Sequence, residues 1–131
     1  RIILDMPAGL GTSARVTSAA ADLALIVATP DRICVRDGCR MAQELQRAGF
    51  ENHRLVINRV NEQLIRKDII TDLDEVIDGV GSQLIGVLPD DPDIQLRLSR
   101  GLALGERHRI TRICKAIACR ISGEYIPLLL C

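Results

Sequence analysis

The chain has 131 residues, which is one domain's worth of polypeptide or slightly less. Its 47% of apolar and 26% of charged residues are typical of a globular protein and exclude a disordered one. Aromatic residues amount to only 2%, which argues against a base-stacking platform, and the 17 basic residues balance the 17 acidic ones. We therefore predict no direct contact with nucleic acid. No apolar stretch approaches the roughly 20 residues that span a bilayer, and no signal peptide is visible.

Short apolar runs alternate with segments of helical periodicity along the chain. The runs are continuous, as expected for strands covered on both faces, and they are Ile2–Leu4, Leu23–Thr29, Leu55–Ile57 and Leu84–Leu88. The helical segments are Ser13–Ala21, Arg32–Ala48 with Gly49 as its C-cap, Thr71–Val80, a short helix after Asp91-Pro92, and Glu106–Ile121. The alternation predicts an α/β fold, a parallel β-sheet flanked by helices on both faces, Rossmann-like and incomplete.

The last predicted helix is amphipathic. An isoleucine stripe runs along one side of it, and its basic residues lie largely off that stripe. The stripe is what a helix docked on the sheet requires. A basic amphipathic helix can also lie on an anionic membrane, so peripheral membrane contact remains the alternative.

The cysteines and histidines show no pattern of a metal site. The five cysteines form no CxxC pair, and the spacing of five within Cys34/Cys39 and Cys114/Cys119 serves a shared metal poorly. We predict reduced, mostly buried structural cysteines in a cytoplasmic protein. His53 and His108 have no partner at ligand spacing and are expected to be structural.

Residues that follow the apolar runs are the candidates for function, because ligands of parallel sheets bind at the carboxyl ends of the strands. They are small, polar or turn-forming: Asp5, Pro7 and Gly9; Thr29, Pro30 and Asp31; Asn58 and Arg59; and Pro89, Asp90 and Asp91. Asp5 is suited to hold a hydrated Mg²⁺, which prefers oxygen ligands and phosphate partners. Gly9, with Gly11 behind it, would let the following loop approach a terminal phosphate.

Four blocks of sequence carry a family resemblance. They are "IILDMPAGLG", "ALIVATPDRICVRDGCRM", "RLVINRVN" and "LIGVLPDDPDIQLRLSRG", over roughly residues 1 to 105. In this order and spacing they resemble the MinD/ParA family of P-loop ATPases with a deviant Walker A motif, and MinD-like proteins in particular. Residues 1–131 then correspond to the C-terminal part of a single nucleotide-binding domain, from the Walker B strand onward.

The resemblance implies a role for individual residues. Asp5 matches the Walker B aspartate that supports Mg²⁺, and Gly9, with Pro7 and Ala8, matches the switch that senses the γ-phosphate. Asn58 matches the residue that hydrogen-bonds adenine, with Arg59 beside it, and the loop that closes over the base corresponds to Pro89, Asp90 and Asp91. Arg36 and Asp37 match a segment near the dimer and partner surface. ATP or ADP with Mg²⁺ is the implied cofactor, and a homodimer and protein regulators are the implied partners.

The sequence also departs from the family pattern. Met6 stands where the family usually has Ser or Thr, and "LSRG" stands where an Asn often precedes the glycine. No GxxxxGK[ST] loop or lysine-bearing variant occurs, so the cradle of backbone N–H groups for the phosphates is not among these residues. We expect the intact parent to be an ATPase and residues 1–131 alone not to hydrolyse ATP.

Plainer interpretations stay open for several of these residues. Asp5 could cap the next turn, Asn58 could satisfy local backbone groups, and Asp90 and Asp91 could be solvated turn residues. Arg36 and Asp37 could form a surface ion pair. For the whole chain, the alternatives to a spatial-positioning ATPase, for example in division-site selection, are a non-catalytic interaction module and a metallocentre-assembly ATPase of the same superfamily. The missing CxxC disfavours the last.

Overall fold

The computed structural model describes residues 2–6, 20–61, 63 and 72–128. The elements follow one another as β1 (Ala24–Ala28), α1 (Arg32–Arg47), β2 (His53–Val60), α2 (Leu73–Val80), β3 (Gln83–Pro89), α3 (Pro92–Ser99) and α4 (Arg109–Ile121). Within the described residues the strands form one parallel sheet in the order β1-β2-β3. The predicted α/β class is confirmed.

Two hydrophobic cores cover the two faces of the sheet. On one face α1 and α2 pack against all three strands, around the fully buried Leu55, Ile57, Val76 and Val80. On the other face α4 covers β2 and β3, and its Ile117 packs against Val56 and Ile85. Helices therefore flank the sheet on both sides, as predicted. Continuous apolar runs form these strands because both faces of the central strand are covered.

On the second face of the sheet, the side chains of β1 are exposed. Ile26 and Ala28 point into the first core, whereas Leu25 is 44% and Val27 is 60% exposed. Successive side chains of a strand point to opposite faces, so these two residues lie on the face that α4 covers farther along the sheet. The first strand of the sheet thus leaves apolar surface open to solvent.

The prediction of a strand at Ile2–Leu4 is wrong. Residues 2–6 form no strand, and Ile2 is 90% and Ile3 92% exposed. An apolar run becomes a strand only where a neighbouring strand completes its hydrogen-bond ladder, and none of β1, β2 and β3 pairs with it. The helix predicted at Ser13–Ala21 lies almost entirely outside the described residues.

The other helices begin and end close to where their sequences predict. Gly49, with φ of 78°, follows the end of α1, and Gly81, with φ of 71°, caps α2 in the left-handed conformation. Pro92 occupies the first turn of α3. The last helix starts at Arg109 rather than Glu106, because the imidazole of His108 caps it by accepting the backbone N–H of Ile110 at 3.3 Å.

The isoleucine stripe docks α4 on the sheet, as the sequence predicts. Ile110 and Ile117 are buried, while Ile121 at the helix end is 37% exposed. A close approach makes this packing possible, since a Cβ at Gly86 would lie 2.4 Å from Cδ1 of Ile117.

One arginine joins the last helix to the end of the chain. The Arg120 guanidinium donates to three main-chain carbonyls, those of Ile85 in β3 at 2.8 Å, Ile126 at 2.8 Å and Pro127 at 2.6 Å. A planar guanidinium presents several N–H groups in a fixed fork, which suits it to bridge separate carbonyls. The segment 124–128 is therefore held against α4 and β3.

The burial predicted for the cysteines is wrong, whereas His53 has the structural position expected of it. Cys34, Cys39 and Cys114 are free thiols, as predicted, but none of the four described cysteines, Cys119 included, is buried, and Cys114 is exposed. His53 is 6% exposed, and its Nδ1 lies 2.8 Å from the hydroxyl of Ser82. Burial, with the nearby charge of Arg54 as a smaller cause, lowers the pKa of His53.

Candidate functional site

The carboxyl ends of β2 and β3 lie side by side and form a rim. Ile57 pairs with Ala28, the last residue of β1, so Asn58 is the first residue of β2 beyond that ladder. Between the pairs Ile57–Val87 and Val60–Pro89, β2 carries one residue more than β3, which makes a bulge. A bulge re-aims the side chains within it. Asn58 and Arg59 occupy this bulge.

Arg59 has an unusual backbone conformation. Its φ is 56°, in the left-handed region that non-glycine residues rarely adopt. Its backbone N–H donates to Oδ1 of Asn58 at 2.9 Å. The side chain of Asn58 is half-buried, and that of Arg59 is exposed.

The rim is closed by contacts between the two strand ends. The guanidinium Nε of Arg59 lies 3.4 Å from Oδ1 of Asp90, and the Asp90 backbone N–H donates to the carbonyl of Val60 at 2.9 Å. The predicted residues of β2 and β3 are thus together at one edge. Sequence spacing predicts this proximity because parallel strands end on the same side of the sheet.

Asp91 and Asp93 start α3, and His108 lies against them. Asp91 accepts the backbone N–H of Asp93 at 3.0 Å and so acts as the N-cap. Nε2 of His108 lies 3.6 Å from Asp91 and 3.5 Å from Asp93, and its side chain is 14% exposed. A hydrogen bond from Arg97, with a smaller contribution from His108, lowers the pKa of Asp93. Asp91 therefore caps α3, and its place in a loop over the base stays a prediction.

His108, which was expected to be structural, joins two helices in a way that its spacing in the sequence does not predict. It caps α4 with Nδ1 and faces the start of α3 with Nε2. Histidine is not among the preferred N-cap residues, so no local signal placed the helix start there. The loop that follows β3 and the last helix are connected through this ring.

The end of β1 supplies a helix cap. Oδ1 of Asp31 accepts the backbone N–H groups of Ile33 at 3.1 Å and Cys34 at 2.9 Å, and Oδ2 accepts the hydroxyl of Thr29. These hydrogen bonds, that of Thr29 above all, lower the pKa of Asp31. Asp31 is thus engaged in starting α1.

Asp5 takes no part in the contacts that close the rim. It lies in the exposed segment 2–6, which no described strand pairs with. Pro7, Ala8 and Gly9 lie outside the described residues. Within the described part of the chain, no group of three or more His, Cys, Asp and Glu side chains could hold a metal ion. The roles of Asp5 and Gly9 stay predictions.

Arg36 and Asp37 lie on the outer surface of α1. Their side chains are 60% and 55% exposed and are joined at 3.2 Å between Nη2 and Oδ1, and Arg40 lies 4.0 Å from the same carboxylate oxygen. Beside them lies an open cavity of about 260 Å³, lined by Arg32, Val35 and Arg36 of α1 and Glu75 of α2. The surface ion pair is therefore present, and an interface role stays a prediction.

Among the described helices, none has the length and apolar character needed to cross a membrane.

Comparison with known proteins identifies relatives along nearly the whole chain. The septum site-determining protein MinD of Bacillus subtilis is 32% identical over 130 residues, which cover 97% of this chain and 48% of that protein. MinD of Synechocystis is 31% identical over 131 residues, covering 98% of this chain and 49% of that protein. The chain thus spans about half the length of these curated relatives. No protein-family profile matches it.

Solved structures agree with the sequence relatives. The MinD cell division protein of Aquifex aeolicus superposes with a TM-score of 0.84 at 27% identity, over 93% of this chain and 52% of that one. MinD in the MinC:MinD complex of the same organism gives 0.83 at 25% identity, over 92% and 50%. Sequence and fold together show that this chain belongs to the MinD/ParA family and is MinD-like.

Proposed function

We propose that the chain is the C-terminal part of a single MinD-like domain that binds an adenine nucleotide and serves the placement of the division site. One observation carries the proposal. Asn58 and Arg59 of β2 and Asp90 after β3 meet at one rim of a parallel sheet, in a chain related to MinD over almost its whole length. Open parallel sheets bind ligands at this rim.

The carboxamide of Asn58 supports the choice of base. Its oxygen accepts and its nitrogen donates, side by side, which matches the amino group and N7 of adenine. Guanine presents two acceptors at the same edge and would oppose the amide oxygen. Asp90 contacts Arg59 and Val60, and the loop Pro89, Asp90 and Asp91 would border the base.

Binding of the phosphates and of Mg²⁺ would need ligands beyond those that the described residues supply. Asp5 is the carboxylate that would support a hydrated Mg²⁺, whose chemistry is to neutralise charge on phosphate oxygens. It is exposed, and the described chain offers no further cluster of metal ligands around it. Gly9 would sense the terminal phosphate. We propose that ATP hydrolysis belongs to the whole protein and requires a phosphate-binding loop that these residues lack.

The outer surface of α1 is the proposed partner surface. Arg36 and Asp37 project from it and are more than half exposed. A structure of a MinD relative with MinC is known, and a protein regulator of that kind is the proposed partner, together with a second copy of the whole protein. We place the protein in the cytoplasm, with peripheral contact to the inner face of the cell membrane as its other location. Arg36→Ala and Asp37→Ala should weaken capture of MinC from the same organism, and Arg47→Ala, at the far end of α1, is the matched control. Equal capture by all variants would remove Arg36 and Asp37 from the interface.

A nucleotide titration tests the base site directly. Isotope-labelled protein is titrated with adenosine, ATP with Mg²⁺, and guanosine while backbone amide resonances are followed. We expect adenine compounds to shift the amides of Asn58–Val60 and of Asp90 and Asp91. The amides of His53 and Ser82, at the opposite ends of the strands, serve as internal controls. Equal responses to guanosine, or shifts confined to other regions, would contradict the proposal.

A second candidate function is a non-catalytic interaction module. The exposed Leu25 and Val27 on β1 favour it, because apolar surface at a sheet edge promotes association. Light scattering after size-exclusion chromatography separates the two candidates. Association that is abolished by Val27→Lys would support the module, and a monomer at high concentration would exclude it.

A further inference from the structure

We propose that His108 is a positioning residue that holds the loop after β3 at the rim. Its ring joins the start of α4 to the carboxylates of Asp91 and Asp93 at the start of α3. The inference rests on the proposed function, because the position of this loop matters for activity only if the loop borders a bound base. It goes further by assigning that position to a side chain outside the rim.

The helix that continues from the loop is weakly held by apolar packing. Among the described helices, α1, α2 and α4 have buried residues, whereas α3 has none. Its Leu96 and Leu98 are 48% and 66% exposed. Packing of an apolar face is what ordinarily stabilises a helix in a protein. Polar contacts at the N-terminus of α3 therefore take a larger share in fixing where this helix and its loop lie.

The loop is anchored to β2 through Asp90 and turns toward His108 at the next residue. The backbone N–H of Asp90 donates to the carbonyl of Val60 at 2.9 Å. Oδ1 of Asp91 accepts the backbone N–H of Asp93 at 3.0 Å, and its Oδ2 lies 3.6 Å from Nε2 of His108. The carboxylate of Asp91 thus faces α3 with one oxygen and the histidine ring with the other.

The ring of His108 is oriented by its own helix. The backbone N–H of Ile110 can only donate, so Nδ1 of His108, 3.3 Å away, accepts and carries no proton. The proton of the neutral imidazole is then on Nε2. Nε2 lies 3.5 Å from Oδ2 of Asp93 and 3.6 Å from Oδ2 of Asp91. The ring therefore presents an acceptor to α4 and a donor to the two carboxylates of α3.

Burial strengthens this contact although its distances are long. At 3.5–3.6 Å the attraction is electrostatic and not that of a short hydrogen bond. The side chains of His108 and Asp91 are only 14% and 24% exposed, and partly buried charges are screened less than exposed ones. The backbone of His108 is fixed too, because its N–H donates to Gly105 at 3.0 Å and its carbonyl accepts the N–H of Arg112 at 3.1 Å.

Two conservative substitutions separate the two contacts of the ring. His108→Asn places an amide oxygen near the position of Nδ1, and asparagine is a preferred N-cap, so this variant keeps the cap of α4 and loses the contact with α3. His108→Gln places an amide N–H group near the position of Nε2, so it keeps a donor toward Asp91 and Asp93 and loses the cap. Lys115→Ala, whose side chain is 63% exposed on α4, is the matched control.

Hydrogen exchange of backbone amides in residues 1–131 provides the first measurement. The amide of Asp90 reports whether the loop stays at the rim, and the amide of Ile110 reports the cap of α4. The amide of Gly81, which ends α2, is the internal reference. We expect His108→Asn to speed exchange at Asp90 by roughly fivefold, the order of one lost polar contact, and to leave exchange at Ile110 near the wild-type rate.

The other two variants complete the comparison. His108→Gln should speed exchange at Ile110 and keep Asp90 closer to the wild-type rate than His108→Asn does. Lys115→Ala should change neither amide. A residue that only caps α4 would give the opposite order, because asparagine would then be the silent substitution.

Titration with adenosine, followed through the amide resonances of the rim, is the second measurement. His108→Asn should weaken adenosine binding by roughly threefold, because part of the binding free energy is spent on ordering the loop. His108→Gln should weaken it less, and Lys115→Ala should bind as the wild type does.

The outcomes distinguish this inference from the proposed function. Wild-type exchange at Asp90 in His108→Asn would overturn the positioning role. If His108→Gln does not fold without its cap, His108→Asn still decides the matter, because asparagine keeps the cap. Faster exchange at Asp90 in a protein that does not respond to adenosine would uphold the positioning and refute the adenine site. A response to adenosine with an unaffected loop would refute the positioning alone.

Discussion

The contact between Gly86 and Ile117 allows a quantitative test of how the last helix docks. A Cβ at position 86 would lie 2.4 Å from Cδ1 and 2.5 Å from Cγ1 of Ile117. Carbon atoms prefer separations of about 3.5–4.0 Å, so the overlap exceeds roughly 1 Å. Ile117 is 8% exposed and packs against Val56 and Ile85, which limits its movement.

We expect Gly86→Ala to lower the free energy of unfolding by about 1–2 kcal/mol. Overpacking a core costs about 1–3 kcal/mol. Replacing a strand glycine by alanine returns roughly 0.5–1 kcal/mol, because glycine loses more backbone freedom on folding. In the background of Ile117→Ala the overlapping atoms are absent, so the same change at Gly86 should be neutral or slightly stabilising.

Urea unfolding followed by far-ultraviolet circular dichroism provides the assay for all four members of this cycle. The coupling free energy between positions 86 and 117 should be about 1–3 kcal/mol. Gly105→Ala is the matched control, because no atom lies within 4 Å of the added Cβ and its φ is not positive. An equal effect of Gly86→Ala in both backgrounds would refute the reasoning.

Further predictions concern three polar contacts. His53 has a lowered pKa, so the unfolded chain takes up its proton first, and stability should fall as the pH drops below about 6.5; urea midpoints should depend less on pH in His53→Gln, and an unchanged slope would contradict this. Asp31→Ala should cost about 1 kcal/mol at neutral pH as a lost helix cap, whereas Asp31→Asn should cost much less. Because the pKa of Asp31 is lowered in the folded wild type, the wild type loses this stability as the pH falls below the ordinary aspartate range. The stability difference between the wild type and Asp31→Ala should therefore shrink there. Arg120→Lys should speed amide exchange in residues 124–128 by roughly tenfold, since an ammonium cannot bridge the same carbonyls; exchange at the wild-type rate would show that the guanidinium does not hold the segment.

The sequence was sufficient to predict the sheet and most of its helices. Continuous runs of Ile, Leu and Val mark strands covered on both faces, and Pro92 and Gly49 mark a helix start and a helix end. The run Ile2–Leu4 has the same composition and is not a strand in the structure. Composition describes what a strand needs to bury but not whether a partner strand is present, and this explains the difference.

The candidate site was predictable in its location but not in its geometry. Residues after parallel strands converge on one edge, so the proximity of Asn58, Arg59 and Asp90 followed from the chain order. The bulge in β2 did not, because nothing in "RLVINRV" signals an extra residue or a left-handed arginine. The contact of His108 with Asp91 and Asp93 depends on the relative positions of the starts of α3 and α4. The spacing of residues along the sequence does not give those positions.

The order of the strands has a consequence for how the sheet can be extended. Among the described strands, β1 is hydrogen-bonded to β2 and β2 to β3. No additional strand can therefore intercalate between them, and the sheet can grow only outward, from β1 or from β3. Polypeptide added beside β1 would also bury Leu25 and Val27 if it extended over the second face of the sheet, where both side chains are exposed to water.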